Sequence, residues 1–277
     1  MKLFSIITVC LNAENEIEET IHSVLQQDFT DFEYIIQDGL SNDQTVKIAE
    51  SFQEAFADKG ISFRIVSQKD QGTYDAMNKA RQRAIGKWIL FMNAGDWFVD
   101  GNILSCVSRN ENLNIADIIY GDVILRNHNL YKYLKARELE HIRVSLPFSH
   151  QSVFVKKELL DSHPFSLQYR ICSDHRFFLQ MYHERKKFSY LPIAISIFEI
   201  NGVSSDEKAK NEEKLRVFEE FGDEEAVQKV KEWQKQSKKQ KFMYNHIWRF
   251  VPKKLRQIRR DRIRKKAGWK TRDELLI

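Results

Sequence analysis

Cysteine is nearly absent from this chain. Cys10, Cys106 and Cys172 are widely separated and odd in number among 277 residues, which excludes a disulfide framework and a cysteine metal cluster. They read as core filler in a cytoplasmic protein. Glycine is also scarce, with ten in all. No GxGxxG follows the first apolar run, and no GxxxxGK followed by Ser or Thr occurs, so a dinucleotide fingerprint and a P-loop are both missing. Any bound phosphate must then be neutralised by a few side chains and a divalent cation. The eight histidines lack the H-E-x-x-H spacing of a hydrolytic zinc site. No stretch approaches the roughly 18 apolar residues of a membrane span. Met1-Lys2 leads into an apolar run, but an acidic stretch follows it without a small-residue cleavage site. A buried first strand is therefore expected, not a signal peptide.

What is present is unevenly charged. Residues 225–272 hold 18 Lys or Arg against three acids, leaving 26 basic and 36 acidic residues elsewhere. An acidic body with a strongly basic tail implies two jobs, one of them adhesion to something anionic.

Hydrophobic spacing gives the architecture. Apolar runs at 4–11, 32–36, 61–66 and 88–92 read as strands, and helical periodicity marks 14–26, 45–56 and 74–84 between them. Strand–helix alternation with short links predicts a mostly parallel mixed sheet flanked by helices, an α/β fold. Beyond Asp96 the rhythm changes. Strands are expected at 118–120, 123–125 and 149–155, and as two short pieces either side of Pro192, with a helix after Ser173-Asp174. Residues 131–143 resist assignment and suit a mobile loop on an acceptor's side. No internal repeat or low-complexity linker marks a second domain. The division expected is a domain over 1–205 and a helical, basic extension over 206–277.

Polar chemistry gathers between Ser67 and Asp96. In such sheets ligands collect beyond the carboxyl ends of the strands, where three successive crossovers present Glu14, Asp38 and Asp96. A rim of carboxylates suits a uracil imide, ribose hydroxyls or a metal bridging two phosphates. The plain reading is that Asp38 caps a turn and Glu14 sits in a helix's first turn. Asp70 and Asp75 flank Gly72, with Lys69 and Lys79 as nearby counter-ions. Asp75 and Asn78, three apart, share a helix face that can reach a sugar; capping by Thr73 is the alternative. Asp174 opens a helix, either as an ordinary first-turn acid or as a general base taking a proton from an acceptor hydroxyl. His150, just before a strand, is a pocket candidate.

Taken together these segments resemble the family 2 glycosyltransferases of the GT-A fold, in the bacterial branch that builds exopolysaccharide, capsule and O-antigen. Ser5-Ile6-Ile7-Thr8-Val9 with Leu11-Asn12 and Glu14 is similar to the opening strand and loop that hold the nucleotide base. Tyr34 to Thr45 resembles the acidic second-strand motif, in which Asp38 corresponds to the aspartate contacting uracil or its equivalent. Asp70-Gln71-Gly72-Thr73-Tyr74-Asp75-Ala76-Met77-Asn78-Lys79 resembles the segment bordering donor sugar and ribose. Asn93-Ala94-Gly95-Asp96 stands in place of the metal-binding DxD, leaving Asp96 as its only carboxylate, a form this branch tolerates. His150-Gln151-Ser152 and Ser173-Asp174 resemble the acceptor-side strand and the helix start carrying the catalytic aspartate; Gly202-Val203-Ser204 resembles the late glycine–serine turn. The resemblance implies Thr8, Asn12, Glu14, Asp38, Asp70, Asp75, Asn78 and Asn93 around a nucleoside diphosphate sugar. It also implies Mn²⁺ or Mg²⁺ at Asp96 and inverting transfer to a hydroxyl of a glycan or lipid-linked glycan.

Residues 241–269 interleave Trp248, Val251, Leu255, Ile258 and Trp269 with dense Lys and Arg. That pattern suits an anionic membrane surface on the inner face of the cell membrane. A helical end packed on the body and a polyanion-binding surface are the alternatives, and no motif for specific nucleic-acid recognition is present. A competing reading of the whole chain is a catalytically impaired sugar-nucleotide-binding scaffold of the same fold.

Overall fold

The computed structural model describes residues 2–200, 207–232, 235 and 266–275. Its first half is built on four parallel strands: β1 (Lys2–Cys10), β2 (Phe32–Asp38), β3 (Ser62–Ser67) and β4 (Gly86–Phe91). Period-two alternation buries both faces of this sheet. Phe4, Ile6, Tyr34, Ile36, Trp88 and Leu90 face one core with Ile17, Ile21 and Val24 of helix α1 (Ile17–Leu25). Ile7, Val9, Ile35, Ile89 and Phe91 face the other, against Ala76, Met77 and Ala80. Those three lie on one face of α4 (Thr73–Arg81). The expected helix over 45–56 is two short ones, α2 (Thr45–Glu50) and α3 (Gln53–Asp58).

Later strands turn the sheet mixed. β5 is Trp97–Phe98, and helix α5 (Ile103–Ser108) leads to β6 (Ile118–Asn127) and β7 (Leu130–Leu134). After β8 (Val153–Lys156) come α6 (Lys157–Ser162), α7 (Ser173–His183), β9 (Phe188–Glu199) and α8 (Glu207–Glu220). The order across the sheet is β3-β2-β1-β4-β8-β6-β9-β5, with β7 on β6. β8 runs antiparallel to both β4 and β6 while β9 runs parallel to β6, so beyond β4 the sheet is mixed and not parallel throughout.

Several expectations change here for physical reasons. The two pieces around 121 are one strand, as are the two around Pro192. Gly121 pairs with Leu191 and Asp122 with Ala194, leaving Pro192 and Ile193 as a bulge. A bulge is where a residue without an N–H is tolerated inside a sheet. Residues 130–134, read as loop, form a hairpin strand, and 150–152 are a 3₁₀ turn before β8. The expected boundary at 205 is not a break in packing. Val217 and Phe218 of α8 and Ala226 and Val230 of the helical stretch 224–232 are buried in the same core as Phe177 and Phe178. Most of the basic segment and the turn at 202–204 lie outside the described residues. Its far end is described: Lys270 and Tyr131 exchange backbone hydrogen bonds at 2.7 and 2.8 Å, and Leu275 packs near Trp97. Among the described residues no helix is long and apolar enough to cross a membrane.

Candidate active site

The loops after β1 and β2 are laced together at the carboxyl ends of their strands. Asn12 Oδ1 accepts from Asn42 N at 2.9 Å, and Ser41 Oγ accepts from Asn12 N at 2.7 Å. Glu14 Oε2 accepts from Gln44 N at 3.0 Å, while Asp43 Oδ2 accepts from Glu14 N at 3.1 Å. Asn12 and Leu40 both adopt left-handed backbone, with φ of 51° and 69°. Asparagine tolerates that region; leucine does so only under constraint. Leu40 and Leu11 stay exposed beside Gly39, forming an apolar ledge.

Asp38 takes the plain reading. It is fully buried, and its carboxylate accepts from Leu40 N (3.1 Å), Ser41 N (3.0 Å), the Ser41 hydroxyl and Ser67 Oγ (2.6 Å). Four donors fill a carboxylate's acceptor capacity. A ligand reaches Asp38 only by exchange with a serine hydroxyl. Glu14 likewise holds the neighbouring loop. Thr8 is fully buried, its hydroxyl donating to Met92 O at 2.6 Å and lying 2.9 Å from Tyr34 OH. Asp70 is better placed. It accepts from Gly72 N at 2.9 Å, and its Oδ2 lies 2.6 Å from where a Cβ on Gly39 would stand. Only glycine at 39 lets that carboxylate close against the end of β2.

The start of α4 departs from expectation in two ways. Gly72, with φ 122°, occupies the cap in place of Thr73, and Asp75 Oδ2 reaches back to Gln71 N at 2.9 Å. Asp75 also pairs with Lys79 at 2.8 Å. Burial works to raise the Asp75 pKa, but the bonds from Lys79 and Gln71 N outweigh it and hold the carboxyl below its usual value. Asn78 has a structural bond pair. Its amide donates to Phe165 O at 2.8 Å and accepts from Phe165 N at 3.0 Å, pinning the chain ahead of α7.

Asp96 and Asn93 behave differently from these satisfied acids. Asp96 is 4% exposed, and burial pushes its pKa well above the usual carboxylate range, against the Gln151 side chain and backbone N–H groups. Glu199 on β9 adds a second negative charge beside it. Gly95 turns the chain here with φ 92°. Among the described residues Asn93 Oδ1 is buried without a partner. A buried carboxylate, a neighbouring carboxylate that also pairs with Arg126 at 3.4 Å and an orphaned amide oxygen are hard oxygen donors, which fits a cation completing its shell with phosphate oxygens. Among the described residues no cluster of three or more His, Cys, Asp or Glu could hold a metal by itself.

Asp174 stands in the first turn of α7. Its Oδ1 lies 2.9 Å from Tyr74 OH and accepts from His175 N at 2.7 Å; its second oxygen has no hydrogen bond among the described residues. Tyr74 links it to α4. His150 links it to β4: the ring stacks on Phe91 at 5.7 Å, and both ring nitrogens are buried and unpaired among the described residues. Burial lowers the His150 pKa, and the Asp174 charge opposes that shift. A run of neighbouring residues leads from Asp96 to Asp174: Gln151 bonds to Asp96, the adjacent His150 stacks on Phe91 and feels the Asp174 charge, and Tyr74 bonds to Asp174. Two surface hollows of about 480 and 330 Å³ around Arg143, Tyr182 and Asp223 contain none of these residues. Tyr74, Glu199 and the Leu11–Leu40 ledge were not singled out by sequence reasoning. Tyr74, Leu11 and Leu40 had a local signal, lying inside the quoted motifs; Glu199 had none.

A parallel nucleotide-type half-sheet joined to a mixed half, with acids rimming the junction, defines a GT-A-like transferase domain. A match to glycosyl transferase family 2 covers residues 5–177, and the chain belongs to that enzyme family. It is 33% identical over 178 residues to a PGL/p-HBAD biosynthesis glycosyltransferase of Mycobacterium bovis, covering 63% of this chain and 68% of that one. In fold it resembles S. aureus TarS 1–349 in complex with UDP-GlcNAc, with TM-score 0.64, 20% identity, and coverage of 79% of this chain and 64% of that one. It also resembles a mannosyltransferase from Pyrobaculum calidifontis in complex with GDP-Man and Mn²⁺, with TM-score 0.55, 14% identity, and coverage of 77% and 60%. The chain thus spans just under two thirds of the TarS fragment.

Proposed function

We propose that this glycosyltransferase moves a monosaccharide, with inversion, from a nucleoside diphosphate sugar to a hydroxyl of a glycan or lipid-linked glycan in bacterial surface-polysaccharide synthesis. The observation that carries the reading is the unsatisfied polar chemistry gathered between Asp96 and Asp174. Among the described residues Asp174 has one oxygen without a hydrogen bond, Asn93 Oδ1 and both His150 nitrogens lack partners, and Asp96 is a buried carboxylate without a paired cation. Such groups are costly to leave buried and unpaired, so their persistence points to a ligand.

The base and ribose belong on the Leu11–Leu40 ledge, with Asp70 in reach of a hydroxyl or imide. Asn12 and Glu14 shape that pocket by holding the loops together. The free oxygen of Asp174 takes the proton of the acceptor hydroxyl as its oxygen forms a bond to the anomeric carbon. The bond from that carbon to the diphosphate breaks, and the nucleoside diphosphate departs with the electron pair. Tyr74 and His175 N hold the other oxygen and so aim the base. When bound, Mn²⁺ or Mg²⁺ at Asp96 and Asn93 would offset charge on the departing diphosphate. Support for the donor class comes from TarS and the mannosyltransferase, each solved with a nucleotide sugar.

The test is a screen of nucleotide sugars for hydrolysis or for transfer to membrane extracts, with and without Mn²⁺. Asp174→Asn is expected to bind donor as the parent does and to lose about 100-fold or more in turnover. Equal turnover by parent and variant would remove Asp174 from the mechanism. We also propose that the basic segment attaches the enzyme to anionic lipid. Sedimentation with vesicles of anionic lipid should lose its salt-sensitive binding when residues 241–265 are deleted; unchanged binding would end that reading.

A further inference from the structure

We propose that α8 is the positioning element for Asp174 and that Glu213 is the residue through which it acts; the inference rests on the reading of Asp174 as the base. The chain just before Asp174 has no cap of its own, since Cys172 at the N-cap of α7 makes no side-chain cap bond. Glu213, 7% exposed, instead holds the turn that leads into α7, from far along the sequence. Its carboxylate accepts from three consecutive backbone N–H groups: Arg170 at 3.0 Å, Ile171 at 2.8 Å and Cys172 at 2.9 Å. Charge-assisted bonds to backbone amides are the strong kind, and here they fix the turn that delivers Asp174.

The rest of α8 grips the same short stretch. Glu220 accepts from Arg176 Nε at 3.0 Å and from Tyr169 OH at 2.8 Å. Cys172 Sγ reaches Lys210 O at 3.5 Å, and the Phe218 ring meets His175 edge-on at 5.3 Å. Residues on both sides of Asp174 are therefore held by one helix, while Asp174 itself touches Tyr74. Glu213 has a second effect. Three amide donors left unpaired beside Asp174 would seek its free oxygen, the oxygen that must take the acceptor's proton. By occupying them, Glu213 keeps that oxygen available.

The experiment is a double-mutant cycle in the full chain, read by turnover of whichever nucleotide sugar the parent hydrolyses fastest. Glu213→Gln is expected to lower kcat about tenfold or more while donor KM and nucleoside diphosphate affinity stay within about twofold. In the Asp174→Asn background the same change should lower kcat no further, because Glu213 acts only through Asp174. Tm, by contrast, should fall equally in both backgrounds. Full kcat in Glu213→Gln, a raised KM with unchanged kcat, or the same fold-loss in both backgrounds would each overturn the proposal. Should Glu213→Gln fail to fold, Glu220→Gln probes the same helix and must show a kcat loss that disappears beside Asp174→Asn; unchanged kcat would overturn it. If Asp174→Asn keeps parental turnover, the reading of Asp174 fails and this inference with it. If Asp174→Asn is impaired and Glu213→Gln is not, only this inference fails.

Discussion

The two walls of the proposed site are held by different means. In the loops after β1 and β2, polar groups are satisfied by one another: Asp38 by residues 40, 41 and 67, the Asn12 side chain by Asn42 and its N–H by Ser41, and Glu14 by Gln44. On the Asp174 side the supporting bonds come from distant chain, with Glu213 and Glu220 of α8 closing on residues 169–176. The first wall is stiff by local design, and its motifs are compact in sequence. The second exists only once α8 has packed, so its geometry depends on the stability of the whole core.

That contrast can be broken most severely at Phe218, fully buried on α8. Phe218→Ala should cost about 3–5 kcal/mol in urea unfolding. A cost below about 1 kcal/mol would mean that α8 is an appendage and not part of the core. Next in size is a pH effect confined to the same wall. Burial pushes the His175 pKa down to about 4 from 6.5, and its Nε2 lies 2.7 Å from Ile142 O. A depressed value means that the unfolded chain binds a proton which the folded chain refuses. Stability is therefore full above about pH 6.5 and is lost as pH falls toward 4, by on the order of 3 kcal/mol. Denaturation measured across that range should show the slope in the parent and a flatter one in His175→Gln; identical slopes would assign it elsewhere. The smallest effect sharpens the boundary between the walls. Asn78→Leu should cost about 2 kcal/mol by leaving the Phe165 backbone unpaired, with donor affinity unchanged. A variant of parental stability that binds donor tenfold more weakly would return Asn78 to the sugar.

Legibility followed the same division. The four parallel strands, the helices between them and the acids at strand ends could be read from period and position, because each depends on residues close in sequence. What those acids do was harder to read. A carboxylate after a strand looks the same whether its oxygens are free, like the second oxygen of Asp174, or filled, like those of Asp38. Asn78 illustrates the limit: its place in the motif suggested a sugar, and its partner proved to be a backbone in another part of the chain. Pro192 misled for a related reason. It reads as a break in a strand until the bulge opposite Gly121 and Asp122 supplies a place for it.

The sequence alone determined the alternation of strand and helix, the motifs at 34–45, 70–79 and 93–96, the helix start at Asp174 and the basic segment. These are properties of short windows, where periodicity and turn chemistry act locally. Only the tertiary structure decided which polar atoms remain unpaired, that Glu199 stands beside Asp96, and that α8 belongs to the core and holds the Asp174 turn. Those outcomes depend on which surfaces meet, and a hydrogen bond between residues far apart in sequence leaves no periodic trace in it.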